Sequence, residues 1–403
     1  MLTLKEKRIR IGGWWSTDPN LISDDYIKMI ADVGADFIMS SEHGDEKQID
    51  ELLTYCDKYG VECVLQDSRI YDNEDADIAG ITKGYAHHPS FVGHMIKDEP
   101  GTDEMPKIRR LYDKCNAALP GRKAYINLLP MYANAAQLKY GAGAAAIEYY
   151  DNDPKLYEKH LDTYCQIFDT PYICVDVYPC RVDENNKRIM YPGYLENINV
   201  IAKCCRKYDR ELWIMVQNMM WYACDNTPDE AELRWQFFTM LSFGAKAIFH
   251  FCLATPTGHT PGLITKQGTK SDLYYPSQRM HRFIKAIEDV YLQYDNIGAF
   301  CLNGDDEHAY MQFTDQVKNF KPIEEIVSGQ RLLVGCFEKQ DKYAFTLVNM
   351  EAVDDCVTAH VKLKLDGKKV TVYADTMSYT VAPVDGYYEF DIPFGEGLFV
   401  TVE

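Results

Sequence analysis

The sequence has no apolar run of about 18 residues, and its first residues, MLTLKEKRIRIGGWW, carry charges but no apolar core like that of a secretory signal peptide. We therefore expect no membrane span and a cytoplasmic location, although a chain whose leader had been removed would look the same. Basic residues number 42 against 61 acidic ones, for a net charge of −19. Because this excess repels phosphate groups, neither nucleic acids nor anionic membrane surfaces are expected partners.

The cysteines and histidines also lack the usual metal-binding patterns. None of the 13 cysteines forms a Cys-x-x-Cys pair, and several, such as Cys63, Cys174 and Cys252, lie in apolar runs where a thiol acts as a small hydrophobe. A reducing compartment is the simplest interpretation. No His-x-His pair or His/Asp cluster supports a metal site around His43. We therefore predict neither a metal nor a cofactor.

Short apolar runs alternate with amphipathic helical segments over the first 300 residues. The helical segments have recognisable ends, for example Ser23 as an N-cap and Gly60 as a stop. Eight strand–helix units predict a (β/α)8 TIM barrel, whereas a Rossmann fold would require a Gly-x-Gly-x-x-Gly fingerprint that GGWWS does not supply. The eight strand-like runs are residues 8–15, 35–41, 61–67, 91–98, 123–130, 171–179, 211–219 and 245–251.

The pattern changes after about residue 305. Stretches such as YAFTLVNME and YYEFDIPFGEGLFVTVE alternate apolar and polar residues and contain turn signals, for example at Asp366-Gly367. This pattern predicts a small antiparallel β-sandwich. We therefore divide the chain into a catalytic barrel, residues 1–305, and a C-terminal β-sandwich domain, residues 306–403. The sequence leaves assembly into a homo-oligomer open.

Chemically active side chains gather at the predicted carboxyl ends of the strands, where TIM barrels place their active sites. Acids, amides and large aromatic rings suit a carbohydrate, since carboxylates and amides bind hydroxyl groups and flat rings pack on sugar faces. We therefore predict a carbohydrate substrate. The candidate substrate-binding residues are Trp15, Glu42, Asp67, Asn127, Asp176, Tyr178, Gln217, Trp221 and His250.

These candidates also have ordinary structural interpretations. An Asp or Asn at a strand end often caps a helix, and Trp15 and Trp221 could belong to the core. His250 could be a hydrogen-bonded structural histidine. On the sixth strand the two-residue period separates the faces: Val175 and its apolar neighbours should meet the helices, whereas Asp176 and Tyr178 should face the barrel mouth.

The fourth strand-like run ends in Asp98-Glu99-Pro100, and this motif resembles the strand-four motif Asn-Glu-Pro of clan A glycoside hydrolases, the barrels related to β-galactosidases. DVYP at 176–179 and the stretches 233–251 and 343–351 also look similar to this clan. The resemblance implies a glycoside hydrolase with Glu99 as general acid/base. It also exposes a departure, because Gln217 occupies the place of the clan's nucleophilic Glu, and an amide cannot form a glycosyl ester.

Three interpretations remain open. First, the Asp98-Glu99 doublet is similar to that of substrate-assisted N-acetylhexosaminidases, in which the sugar's 2-acetamido oxygen attacks C1, an Asp holds the amide and a Glu protonates the leaving oxygen. Second, Glu99 could pair with a relocated carboxylate. Third, the barrel could bind glycans without cleaving them. The candidates for the relocated carboxylate are Asp176, Asp67 and Glu42.

One geometric difficulty concerns the doublet itself. Consecutive strand residues point to opposite faces, so Asp98 and Glu99 cannot both reach the barrel mouth from a regular strand. We expect the backbone to bend or bulge near residue 98, which Pro100 favours.

Overall fold

The computed structural model describes residues 8–144, 154–221, 225–304, 306–351, 357–367 and 369–403. Eight parallel strands form one sheet, and a two-stranded hairpin, β7 (Cys180–Val182) and β8 (Arg188–Met190), follows its sixth strand. The strands of the sheet are β1 (Arg10–Trp14), β2 (Phe37–His43), β3 (Glu62–Asp67), β4 (Phe91–Asp98), β5 (Lys123–Asn127), β6 (Tyr172–Asp176), β9 (Glu211–Gln217) and β10 (Ala245–Phe251).

This sheet closes into a barrel. Its order is β5-β4-β3-β2-β1-β10-β9-β6, with every neighbouring pair parallel. The two edges meet through a parallel bridge between Leu128 and Val175, and the Leu128 N–H donates to the Cys174 carbonyl at 2.9 Å. The predicted TIM barrel is therefore confirmed. Seven of the eight predicted runs contain their strand, whereas β2 continues two residues beyond the run 35–41, to His43.

Helices connect the strands and surround the barrel. Ser23 caps α1 as predicted, and α2 ends at Gly60, which has the left-handed φ of 68° that glycine favours. The N-cap of α8 is Asp229, whose side chain accepts from the Glu232 N–H. Over the described residues, no helix combines the length and the apolarity needed to cross a membrane. The helices are α1 (Asp24–Asp32), α2 (Glu46–Tyr59), α3 (Ile78–Thr82), α4 (Met105–Ala118), α5 (Ala135–Tyr140), α6 (Pro154–Ile167), α7 (Tyr194–Tyr208), α8 (Glu230–Ser242) and α9 (Tyr274–Tyr291), with a 3-10 segment at Asp306–Met311.

Two apolar layers hold the barrel. The inner layer fills its interior, where the rings of Tyr172 and Trp213 stack with centroids 4.0 Å apart and planes 12° apart. The outer layer lies between the strands and the helices. On β6 the predicted alternation is confirmed, since Val175 belongs to the outer layer and Tyr178 to the inner one. Because aromatic rings fill the interior, a ligand can be held only at an end of the barrel.

The C-terminal region consists of two antiparallel sheets around a shared apolar core, which confirms the predicted β-sandwich. It contacts α8, where the Trp235 indole N–H points at the Met350 sulfur at 3.1 Å. Its first strand, β11, precedes residue 306, and the division into domains at that residue stays a prediction. The strands are β11 (Asp295–Leu302), β12 (Ile323–Ser328), β13 (Leu332–Lys339), β14 (Lys342–Asn349), β15 (Ala359–Leu365), β16 (Val370–Ala374), β17 (Met377–Val381), β18 (Tyr388–Ile392) and β19 (Gly397–Val402).

Gly12 on β1 permits the close approach of two barrel strands and provides the first testable prediction. A Cβ at this position would lie 1.4 Å from the Phe37 carbonyl oxygen on β2. Gly12→Ala should therefore lower the free energy of unfolding by about 3 kcal/mol, since the strands must separate. Chemical denaturation measures this loss. Gly143→Ala is the matched control, because a Cβ there meets nothing within 4 Å and the change should be within about 0.5 kcal/mol. Equal effects of the two substitutions would contradict the prediction.

Candidate active site

A cavity opens at the carboxyl ends of the barrel strands, where the sequence predicted the site. It encloses about 680 Å³, counting the space at its open mouth. Three carboxylic acids and several aromatic rings share its wall. The lining residues are Trp14, Trp15, Gln66, Tyr71, Met95, Asp98, Glu99, Asn127, Asp176, Tyr178, Met215, Trp221, Phe251 and Cys252.

A β-bulge in β4 brings Asp98 to the cavity. Met95 and Lys97 pair with consecutive residues of β5, so Ile96 is an extra residue in the strand. Met95 packs inside the barrel and Ile96 in the outer layer. Lys97 does not line the cavity, and its Nζ lies 2.9 Å from an Asp72 carboxyl oxygen. The extra residue therefore restores the inward direction at Asp98, as the bend expected near residue 98 required.

The backbone of Glu99 then turns sharply. Its φ of 45° lies in the left-handed region, which is uncommon for a residue other than glycine. The Glu99 N–H donates to the Asn127 carbonyl at 2.8 Å, and the Glu99 carbonyl accepts from the Ala142 N–H at 3.1 Å. Trp15, at the end of β1, has a similar φ of 44°. Two lining residues are thus held in left-handed conformations, which in proteins cluster at functional sites.

The Asn127 amide connects two of the acids. Its Nδ2 donates to Asp98 Oδ1 at 3.2 Å and to Asp176 Oδ1 at 2.8 Å. The two acceptor oxygens are therefore at most about 6 Å apart, the sum of these distances. The Asp98 N–H donates to the Tyr71 hydroxyl oxygen at 3.1 Å, which fixes the backbone beside the amide. Asn127 is itself only 2% exposed, so this bridge is shielded from bulk water.

The three acids differ in proton affinity. Burial first and the charge of Asp176 second raise the pKa of Asp98 to about 7. Burial and the charges of Asp176 and Asp98 raise the pKa of Glu99 well above its usual range. Burial also raises the pKa of Asp176, but hydrogen bonds from Asn127 and Tyr178 oppose that rise. Asp176 therefore ionises first, and its charge keeps a proton on Glu99.

Two predicted acids lie away from the cavity. Asp67 is completely buried and accepts from Arg69 Nη2 at 2.7 Å and from the Tyr85 hydroxyl at 2.8 Å. Burial raises its pKa, but these hydrogen bonds outweigh that effect and the net pKa is lowered. Glu42 is exposed and is not among the lining residues. The structure therefore separates both acids from the three in the cavity.

Gln217 and His250 also lie outside the cavity wall, contrary to the sequence-based interpretation. The Gln217 Oε1 accepts from the Cys180 N–H at 2.8 Å, and its Nε2 donates to the Cys180 and Asn226 carbonyls, each at 3.0 Å. The ring of His250 is buried with its Nε2 2.8 Å from His281 Nε2. Both side chains are therefore buried and bonded to other parts of the protein, Gln217 to Cys180 and Asn226 and His250 to His281.

The remaining predicted residues do line the cavity. Trp15 and Trp221 are partly exposed there, and Trp221 stacks on His259 with centroids 4.0 Å apart and planes 6° apart. The sequence interpretation missed several lining residues. Strand alternation could have identified Met95 and Met215, which point inward, but Tyr71 lies in a loop where no periodic pattern exists. The one group of possible metal ligands found among the described residues lies elsewhere in the molecule.

The opposite pKa shifts of Asp98 and Asp67 give a prediction on stability. Because the pKa of Asp98 is raised on folding, its carboxyl contributes to the free energy of unfolding fully at pH values below 3.8, its pKa in the unfolded chain. This contribution is lost as the pH rises through about 7, its pKa in the folded protein. Asp98→Asn removes this loss. It should therefore raise the free energy of unfolding by about 1 kcal/mol or more at pH 8 and change it little at pH 4.

Asp67→Asn is the matched control, with the opposite sign. Because the Asp67 pKa is lowered, its contribution is present above its unfolded pKa of 3.8 and is lost at lower pH. The substitution should destabilise the protein by about 2 kcal/mol at pH 7 and by less near pH 3. Urea denaturation of both variants across this pH range measures the effects. Destabilisation by Asp98→Asn at pH 8 would show that its charge is better compensated than the geometry indicates.

Two solved structures share this architecture over nearly the whole chain. The crystal structure of a glycoside hydrolase family 5 protein from Bacteroides vulgatus ATCC 8482 is 8% identical, covers 99% of this chain and 89% of its own, and superposes with a TM-score of 0.55. The crystal structure of α-galactosidase I from Mortierella vinacea is 11% identical, covers 99% and 98%, and has a TM-score of 0.52. No protein-family model and no curated protein matches the sequence. At these identities the comparisons show the fold, a TIM barrel followed by antiparallel sheets, which is similar to that of glycoside hydrolases.

Proposed function

We propose that the protein is a glycoside hydrolase with Glu99 as its general acid/base. The observation that carries the proposal is the group formed by Asp98, Glu99 and Asp176 beside aromatic rings at the carboxyl end of a TIM barrel. Such an enzyme needs one protonated and one ionised group around the scissile bond, and the raised pKa of Glu99 beside the more easily ionised Asp176 meets that need.

Glu99 is the proton donor to the leaving oxygen. Burial first, and then the charges of both neighbouring acids, raise its pKa. It is held at the cavity by the backbone hydrogen bonds that fix its left-handed conformation. After the leaving group departs, the ionised Glu99 can take a proton from the water that attacks C1.

The sugar itself is our first choice for the nucleophile. In this mechanism the 2-acetamido oxygen forms a bond to C1 while the bond to the leaving oxygen breaks and Glu99 gives that oxygen its proton. Asp98, positioned by Asn127 and Tyr71, holds the amide N–H. Water then opens the cyclic intermediate and returns a proton to Glu99. This mechanism requires neither a carboxylate at position 217 nor a free amide there.

A second mechanism uses Asp176 as the nucleophile. Of the three relocated carboxylates considered, Asp176 alone lines the cavity, whereas Asp67 is paired with Arg69 and Glu42 is exposed. One observation favours this candidate: hydrogen bonds from Asn127 and Tyr178 oppose the rise that burial causes in the pKa of Asp176, and so favour its ionised form. Retention through Asp176 would require its carboxyl to lie about 5–5.5 Å from that of Glu99, whereas inversion would require ~6.5–9.5 Å.

Aromatic rings supply the surfaces for the sugar. Trp15 and Trp221 are both partly exposed in the cavity, and one face of Trp221 is covered by His259. The exposed parts of the two rings can pack on the apolar face of a pyranose. The glycan-binding alternative uses the same rings and differs only in the absence of turnover.

Glu99→Gln tests the assignment of the acid. Hydrolysis of a glycoside with a poor leaving group should fall on the order of a hundredfold or more, because Gln cannot donate the proton. Binding of the sugar and the melting temperature should change little. The matched control is Glu42→Gln, which alters an exposed acid outside the cavity and should leave kcat/KM unchanged. Wild-type turnover by Glu99→Gln would remove Glu99 from the mechanism.

A pair of aryl glycosides that differ only at C2 separates the mechanisms. Under substrate assistance the 2-acetamido glycoside is cleaved with retention, because the neighbouring amide has a very high effective concentration, and its 2-hydroxy counterpart is hardly cleaved. A thiazoline analogue of the cyclic intermediate should bind more tightly than the substrate. Kinetics, product stereochemistry and inhibition constants measure these outcomes.

The contrary results are equally distinct. Efficient cleavage of the 2-hydroxy glycoside, its loss in Asp176→Asn and no inhibition by the thiazoline would establish Asp176 as the nucleophile. Binding of the sugars without turnover of either compound, by a folded protein, would support the glycan-binding alternative and contradict the proposed hydrolase.

A further inference from the structure

Asp50, His87 and His88 converge on the face of the molecule where β4 begins. Asp50 lies on α2, and the two histidines lie just before β4. Their ligand atoms all lie within 4.8 Å of one another. The cavity is at the other end of the same strand, so this cluster does not belong to the candidate active site. Sequence patterns missed it, because Asp50 and His87 are far apart along the chain.

His88 is oriented by groups outside the cluster. Its Nδ1 lies 2.6 Å from Asp57 Oδ2, and the other oxygen of Asp57 accepts from the Ser90 N–H at 2.8 Å. Arg122 Nη2 donates to the His88 carbonyl at 3.3 Å and so fixes the backbone. With Nδ1 directed at Asp57, Nε2 is the ring nitrogen left for a metal ion, and it lies 3.1 Å from Asp50 Oδ1. A carboxylate behind a histidine in this manner is a common feature of metal sites.

We propose that Asp50, His87 and His88 form a binding site for a divalent transition-metal ion, with zinc as the best match. Two imidazole nitrogens and one carboxylate oxygen suit zinc, whereas magnesium and calcium prefer oxygen ligands throughout. Water would complete a four-coordinate site. The proposal is independent of the glycosidase assignment.

To bind an ion, the three ligand atoms need to move only slightly, and the side chains that move are those of Asp50 and His87. Tetrahedral zinc with bonds of about 2.0–2.1 Å brings its ligand atoms to roughly 3.3–3.5 Å of one another. His88 is 5% exposed and fixed, whereas Asp50 and His87 are more exposed and can change rotamer. With His88 fixed, changes of rotamer at Asp50 and His87 can therefore complete the coordination of an ion.

The same geometry also allows an ion pair without metal, since the two ring nitrogens of His88 lie 2.6 Å from Asp57 Oδ2 and 3.1 Å from Asp50 Oδ1. Titration with zinc separates the two interpretations, because an ion pair alone gives no binding.

Bound metal would connect α2 to the segment that leads into β4. Because Ser90 immediately precedes β4, the ion would fix the amino end of this strand, and Asp98 lies at its carboxyl end. We expect an effect on stability rather than on the chemistry at the cavity, since an ion that binds only the folded state raises the melting temperature with its concentration.

The test uses the full chain without an affinity tag, treated with a chelator and titrated with zinc. One equivalent should bind, the melting temperature should rise, and cobalt in place of zinc should give the visible absorption of a four-coordinate site. His87→Ala and Asp50→Asn should weaken binding at least tenfold. Asp57→Asn keeps all three ligands but removes the carboxylate behind His88, and it should weaken binding by about 10- to 100-fold.

His360→Ala is the matched control. His360 lies 2.6 Å from Asp391 in an exposed pair that has no second histidine, so its loss should leave zinc binding unchanged. The proposal is overturned if zinc at 100-fold excess over the protein neither binds nor raises the melting temperature. Binding that survives both His87→Ala and Asp50→Asn overturns it as well, as does equal affinity for magnesium, which would indicate an ordinary acidic surface.

Discussion

The mutual repulsion of three carboxylates in one partly enclosed cavity is the constraint on which the candidate site depends. Asp98, Glu99 and Asp176 cannot all be ionised there, because the surrounding protein screens their charges far less than water does. The protons are therefore held by the group as a whole. Asn127 breaks the symmetry, since its amide donates to Asp98 and Asp176 but not to Glu99. Glu99 is left as the acid that keeps its proton.

The barrel supports this arrangement by two departures from regular geometry. The extra residue Ile96 turns Asp98 inward, and the left-handed backbone of Glu99 brings the next side chain to the same cavity. Neither departure is favourable in isolation. They persist because β4 pairs with strands on both sides and because the backbone of Glu99 bonds to Asn127 and Ala142. The stiffness of the closed sheet thus allows two adjacent acids to face one ligand.

Residues at the carboxyl ends of the strands were the most predictable from sequence. Asp98, Asn127 and Asp176 lie at strand ends, and closure of eight parallel strands into a barrel brings those ends together. Asp67 and His250 also lie on strands near those ends, yet they turn to Arg69 and His281. Periodicity identifies the strand and its faces but not which polar neighbour a side chain will bond. That choice depends on contacts formed only when the chain is folded.

Gln217 shows how such contacts bear on chemistry. Its position is that of a nucleophilic Glu in the barrels which the sequence resembles, but its Nε2 faces backbone carbonyl oxygens of Cys180 and Asn226. A carboxylate in the same place has no proton to give and would be repelled by both oxygens. Gln217 is therefore a structural amide that holds the loops after β6 and β9 against each other, rather than a nucleophile inactivated by one substitution. A Glu there would face the same two carbonyl oxygens, and for this reason both hydrolytic mechanisms that we propose take the reactive partner of Glu99 from Asp176 or from the substrate.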